Sequence, residues 1–240
     1  MQQSGMVYKV RARGSNWREY DKVRLEISVG QPYHEGEKFA ATMAWARANF
    51  SDIALIIGDL PQRYNLVIEG MSENEAWDFS LKSGDKWLER NGPLLCGCTI
   101  TRWNDWLNHH DFSVEQAKVI NLFENHQRFQ DSIIDALDQK FKRSNLPDSS
   151  YNMFRKHSID YLLEETTVFA IAYRELKGIS AYPGSFLDIW SMFLNKEIPK
   201  APEGLEYANY TRLQFEKRFR NLPCQTIAQN NEYNRAIAGS

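Results

Sequence analysis

Ser28 ends an alternating apolar run, Val23, Leu25 and Ile27, and Val29-Gly30 follows it before a helical pattern begins. Such a run reads as a buried strand, and a serine at the C-terminal tip of a parallel strand stands where open α/β sheets bind ligands. There its hydroxyl meets backbone N–H groups and the positive end of the next helix, a setting suited to an acyl-transfer nucleophile. A second candidate group is Tyr161 with Glu165, which project from one face of a helix at i and i+4. A carboxylate beside a phenol can hold a substrate ammonium and take its proton. The competing reading is a packed tyrosine and a solvated glutamate. Tyr182-Pro183 places a third candidate, a phenol, at the end of a later strand just before a chain reversal. By itself it reads as structural.

Other chemistries lack their residues. No G-x-G-x-x-G follows a strand and there is no P-loop, so no nucleotide or other cofactor is expected. The G-x-S-x-G elbow needs a glycine where Glu26 stands, and no histidine lies in an obvious place to act as base for Ser28, so a hydrolase triad fits poorly. Cys96-Gly97-Cys98 reads as alternating on a strand with no second ligand pair for zinc, and His109-His110-Asp111 reads as a loop. No metal is expected.

The elements that must position these groups follow from periodicity. Strands are predicted at 22–28, 52–59, 94–103 and 178–184, and helices at 36–49, 72–91, 113–143 (two, the first capped by Ser113), 151–173, 185–195 and 204–219. Ser72 and Glu75 form an S-x-x-E capping box, and Leu60–Asn65 reads as a loop. Strands alternating with helices predict an α/β fold, a Rossmann-like doubly wound parallel sheet flanked by helices. All 240 residues are assigned to one domain, with a polar N-terminal arm at 1–20 and a polar tail at 221–240.

Composition narrows the class further. Hydrophobic residues make up 42% of the chain, enough for a substantial core. A net charge of −2 argues against indiscriminate nucleic-acid coating, although local basic faces remain open. Three sparse cysteines fit a reducing compartment, and no apolar run or leader pattern points to a membrane, so a cytoplasmic protein is expected.

Taken together, Ile27-Ser28-Val29-Gly30, Tyr161-x-x-x-Glu165 and Tyr182-Pro183, in this order, resemble the cyclodipeptide synthases. The segment Asp59–Asn65 is also similar to the family's stretch after its second strand, and the resemblance spans roughly residues 20–220 in element order. One subfamily carries asparagine at the place of Gln31 and histidine at that of Pro183, so this chain looks like the X-Tyr-Pro subfamily. The resemblance implies a fold like the class I aminoacyl-tRNA synthetase catalytic domain. It also implies two aminoacyl-tRNAs as substrates and a cyclic dipeptide as product.

The roles it implies are specific. Ser28 becomes an aminoacyl- and then a dipeptidyl-ester, with amides around Val29-Gly30 holding the oxyanion. Because an aminoacyl ester is already activated, no triad is required. Tyr161 and Glu165 anchor the amino group, Glu165 accepts its proton, and Tyr182 relays the proton at ring closure. Glu26, on the strand face of Ser28, borders the first side-chain pocket, where it either favours a polar or cationic residue or restricts size. The alternative is charge balance near Arg24 or with Arg102. Gly30, Gln31, Tyr64 and Trp103 are further substrate-pocket candidates, Trp103 with core packing as its alternative. Lys82, Lys86 and Arg90 make one basic stripe suited to phosphate contact, interleaved with acids. Oligomeric state is open, a monomer being favoured. Two alternatives stay open: another aminoacyl-tRNA-dependent aminoacyltransferase, and a non-catalytic aminoacyl-tRNA-binding module.

Overall fold

A computed structural model describes residues 6–14, 16–184 and 188–219. The predicted tail at 221–240, with Cys224, and the start of the arm lie outside the described residues. The elements in chain order are β1 (Met6–Gly14), β2 (Lys22–Ser28), α1 (Gly36–Asn49), β3 (Asp52–Gly58), α2 (Gln62–Ile68) and α3 (Glu73–Asn91). They continue with β4 (Thr99–Arg102), α4 (Trp103–Leu107), α5 (Phe112–Asn125), α6 (Gln127–Lys142), α7 (Tyr151–Leu176), β5 (Ile179–Tyr182), α8 (Asp188–Leu194) and β6 (Tyr210–Phe219).

The six strands form one sheet in the order β1-β6-β5-β2-β3-β4. All neighbours run parallel except β1, which pairs antiparallel with β6. From β2 the chain steps outward through β3 to β4, then crosses back to β5 and β6 on the other side. The order therefore reverses between β2 and β5, and the crevice beyond their C-terminal ends is where such sheets bind ligands. Ser28 is the last residue of β2 and Tyr182 the last of β5.

Side-chain alternation assigns the two faces of the sheet. Val23, Leu25 and Ile27 of β2 join Ile53, Leu55 and Ile57 of β3 in a core with Phe39 and Met43 of α1 and Trp87 of α3. The opposite face packs against α7: Ile56 joins a core with Val168, Phe169 and Tyr173. On β2 that second face carries Arg24, Glu26 and Ser28, so the strand is apolar toward α1 and polar toward α7. Among the described residues no helix is long and apolar enough to cross a membrane.

α3 starts as predicted, with Ser72 Oγ accepting from the Glu75 amide and the Glu75 carboxylate accepting from the Ser72 amide. Midway along, its Gly84 makes room for an ion pair. A Cβ there would lie 2.2 Å from Asp59 Oδ2 and 2.7 Å from Arg102 Nη2. Asp59 is fully buried and accepts from Arg102 Nε at 2.9 Å. Gly84→Ala is thus expected to destabilise the fold by about 3 kcal/mol, since it displaces a buried charge from its partner. In a domain of this size the melting temperature would fall by roughly 6–12 °C, measurable by thermal denaturation.

Several predicted elements are corrected. Residues 210–219 form a strand, not a helix; buried Thr211 and Leu213 alternate with outward Arg212 and Gln214. The predicted loop at 60–65 is largely α2, for which Pro61 is the N-cap. β4 is shorter than predicted, and Cys96 and Cys98 flank a turn at Gly97 rather than sharing a strand face. α5 starts from Asp111 rather than Ser113.

Candidate active site

Ser28 Oγ lies 3.1 Å from Tyr182 Oη across the crevice, and Tyr182 Oη lies 2.8 Å from Tyr33 Oη. Three hydroxyls thus form a hydrogen-bonded chain from the end of β2 to the end of β5. Burial raises the Tyr182 pKa, so its phenol stays protonated at neutral pH. Tyr33 belongs to a short 3-10 turn, Pro32–His34, that directly follows the Ser28 turn. Gln31 caps this turn: its amide donates to Ser28 O at 3.2 Å and its carbonyl accepts from His34 N at 2.8 Å. Gly30 between them adopts φ +87°, a conformation glycine takes without steric cost.

A histidine is present near Ser28, but on its backbone. His34 Nδ1 accepts from the Ser28 amide at 2.8 Å, which assigns the ring proton to Nε2. His34 is 1% exposed, and burial pulls its pKa down to about 3. It is a neutral prop for the β2 turn, anchored in turn by Trp87 Nε1 donating to His34 O at 2.9 Å. The Val29 amide is also engaged, on Gly58 O at 3.3 Å. Of the two amides expected to hold an oxyanion, Gly30 is the one left available.

Tyr161 Oη donates to Glu165 Oε1 at 2.6 Å, as their spacing on α7 predicts. Burial raises the Glu165 pKa to about 7, against the opposing effects of the Tyr161 hydrogen bond and the Lys140 charge from α6. Glu165 in turn helps raise the Tyr182 pKa, so the Tyr161–Glu165 pair and the hydroxyl chain lie within electrostatic reach.

The neighbouring Glu164 points to a different environment. Its carboxylate accepts from Tyr64 Oη at 2.9 Å and Trp103 Nε1 at 2.8 Å, and pairs with Arg63. Tyr64 packs on the Tyr161 ring at 6.0 Å between centroids and lines a groove of about 480 Å³ with Arg63, Trp77, Lys156 and Asp160. Trp103 is 2% exposed and edge-on to Phe169, which is core packing. Glu26 is 6% exposed, and neither carboxylate oxygen has a hydrogen-bond partner. No hydrogen bond joins it to either arginine considered for charge balance, although the buried Arg24 charge acts on its carboxylate. Arg102 binds Asp59 and Asp85, and Arg24 donates to Ser180 Oγ and Tyr207 O.

On the outer face of α3, Lys82, Lys86 and Arg90 are exposed, with Arg90 engaged by Glu35 at 3.0 Å. His109, His110 and Asp111 bring their ligand atoms within 4.8 Å of one another, but His109 pairs with Glu175 and Asp111 with Arg174.

By sequence, no family model and no curated protein matches the chain. By structure, a cyclodipeptide synthase from Fluoribacter dumoffii matches with a TM-score of 0.80 and 25% identity, over 89% of this chain and 100% of that one. In fold, the chain is similar to the cyclodipeptide synthases. A Mycobacterium tuberculosis protein matches with a TM-score of 0.66 and 13% identity, over 90% of this chain and 96% of that one. Its structure is described as relating cyclodipeptide synthetases to type I tRNA synthetases, in keeping with the sheet order here. A cyclodipeptide synthase from Candidatus Glomeribacter gigasporarum, bound to Phe-tRNAPhe, matches with a TM-score of 0.58 and 21% identity, over 82% and 88%. In this crevice, Tyr33, His34 and Glu164 are the candidate site residues that the sequence does not single out. Only Pro32, which opens the turn carrying the first two, hints at them.

Proposed function

We propose that the protein joins two aminoacyl groups, delivered by tRNA, into a cyclic dipeptide through esters on Ser28. The observation that carries this reading is the hydroxyl chain Ser28–Tyr182–Tyr33 at the sheet's switch point, beside the Tyr161–Glu165 pair. Ser28 Oγ attacks the ester carbonyl of the first aminoacyl-tRNA, and the tRNA leaves as its ribose alcohol, taking the proton that Ser28 gives up. The Gly30 amide is positioned to meet the oxyanion. The amino group of that Ser28 ester then attacks the ester carbonyl of the second aminoacyl-tRNA; Glu165 accepts its proton and returns it to the ribose oxygen of the departing second tRNA, leaving a dipeptidyl ester on Ser28. The terminal amine of that dipeptide attacks the Ser28 ester, which closes the ring and returns the serine hydroxyl. Tyr182 passes the proton, with Tyr33 behind it.

Gln31 and Pro183 support assignment to the X-Tyr-Pro subfamily. For the tRNA, Lys82 and Lys86 are the two cations of the α3 stripe outside its Arg90–Glu35 pair, so phosphate contact there is modest and salt-sensitive. Tyr33→Phe is expected to slow product formation by up to about tenfold, the worth of one hydrogen bond, with no change in melting temperature; single-turnover assays with charged tRNA measure it.

The test of the reading is expression in a bacterium followed by mass spectrometry of the medium. Cyclic dipeptides are expected. Linear dipeptides would instead mark a different aminoacyl transfer, and bound tRNA with no new product would reduce the protein to a binding module.

A further inference from the structure

The groove of about 480 Å³ is walled by α2, the start of α3, α5 and α7. Its size falls within the roughly 300–1,000 Å³ of small-molecule sites. Tyr64, which lines it, packs on the Tyr161 ring, and the Tyr161 hydroxyl donates to Glu165. Two rings therefore join the groove to the Tyr161–Glu165 pair. Trp77 is half-buried in the groove, and its indole N–H meets no acceptor among the described residues. The Arg63 guanidinium, held by Glu164, lies 4.3 Å from the Tyr64 ring centroid and 5.1 Å from that of Trp77. Tyr64, Arg63 and Trp77 thus make one contiguous π-rich wall. α7 supplies charge. Lys156 and Asp160 stand at i and i+4, a spacing that lets opposite charges pair, yet neither forms an ion pair among the described residues. Both line the groove instead, about 6 Å apart along the helix. A stacking surface, an acceptor for an exocyclic amine and an uncommitted cation for a phosphate are what a single-stranded nucleotide asks of its site.

We propose that this groove holds the terminal nucleoside of the aminoacyl-tRNA, the adenosine whose ribose carries the ester. This rests on the reading that Ser28 takes its aminoacyl groups from tRNA. The adenine stacks on the wall of Trp77, its exocyclic amine donates to Asp160, and Lys156 meets the 5′ phosphate. The ribose then lies over the Tyr64 and Tyr161 rings, whose centroids are 6.0 Å apart, and directs its ester toward the Tyr161–Glu165 pair. A charged amino-acid side chain in the groove would satisfy one of Lys156 and Asp160 and be repelled by the other. A nucleotide uses both.

The experiment gives the purified full-length protein two chemically charged substrates carrying the same amino acid. One is tRNA ending in adenosine; the other ends in purine riboside, which keeps the ribose ester but lacks the exocyclic amine. Wild-type protein is expected to show a KM about tenfold higher for the second at similar kcat, the worth of one hydrogen bond. Asp160→Ala should lose that preference. Trp77→Leu should raise KM for both substrates by about 5- to 150-fold, the range for one base–aromatic stack, with melting temperatures showing that the fold is kept. Equal wild-type KM values for the two substrates, or an unchanged KM in Trp77→Leu, would overturn the proposal while leaving the cyclodipeptide reading intact. So would a change in the amino acids incorporated at constant KM, which would mark the groove as a side-chain pocket. If wild-type protein formed no cyclic dipeptide from any charged tRNA, both would fall.

Discussion

Replacing Ser28 with alanine is expected to abolish cyclic dipeptide formation, by a factor of about 10⁴ or more, because every proposed intermediate is an ester on that oxygen. The fold should tolerate the change. Ser28 Oγ contributes one hydrogen bond, to Tyr182, while the backbone bonds to His34 and Gly58 that shape the turn remain. Incubation with tRNA carrying a radiolabelled amino acid gives the sharper measurement. Wild-type protein should retain label through precipitation, and Ser28→Ala should retain none. Label kept by the variant would move the covalent step to another residue.

Glu165→Gln is expected to lower the rate by about 10²–10⁴-fold, the usual worth of a positioned general base. Its pH behaviour carries more information than its size. With a pKa near 7, the wild-type carboxylate gains its basic form as pH rises, so the rate should climb through pH 7 and then level; Glu165→Gln should flatten that rise. Stability should move the other way. Folding raises the pKa values of Glu165 and Glu26 from 4.5 to about 7 and about 6, so their stabilising contribution is complete below pH 4.5 and is lost as pH climbs through those values. His34 opposes them: its neutral burial stabilises fully above pH 6.5 and is lost as pH falls toward 3. Melting temperatures across pH 4.5–8 for wild type and Glu165→Gln separate these contributions.

The alternating run of β2, the continuous apolar run of β3 and the capping box of α3 are legible in the sequence, and the spacing of Tyr161 and Glu165 alone puts them on one helical face. Proximity between distant segments was a different matter. Ser28 and Tyr182 meet because β5 inserts beside β2, a pairing that no local pattern encodes. β6 was misread because its Lys, Glu, Arg and Leu content suits a helix, although Thr211 and Leu213 alternate at the strand period. Tyr33 and His34 sit in a short turn without periodicity, and His34 acts on a backbone amide, which spacing cannot reveal. The place of Glu26 on the Ser28 face of β2 is legible in the sequence, but where the Arg24 and Arg102 guanidiniums bind is set by distant segments, Ser180 and Tyr207 for one and Asp59 and Asp85 for the other.

The carboxylate of Glu164 holds side chains from α2 and α4, while the next residue along α7 accepts from Tyr161 beside the hydroxyl chain. One turn of one helix therefore serves as both bracket and workbench. Anyone grafting a new β3–α2 connection to alter substrate range would be pulling on that bracket. A shift of Arg63 or Tyr64 would take donors from the buried Glu164 carboxylate, one residue before Glu165. That connection thus leads, through one buried carboxylate, to the residue beside the proposed proton acceptor.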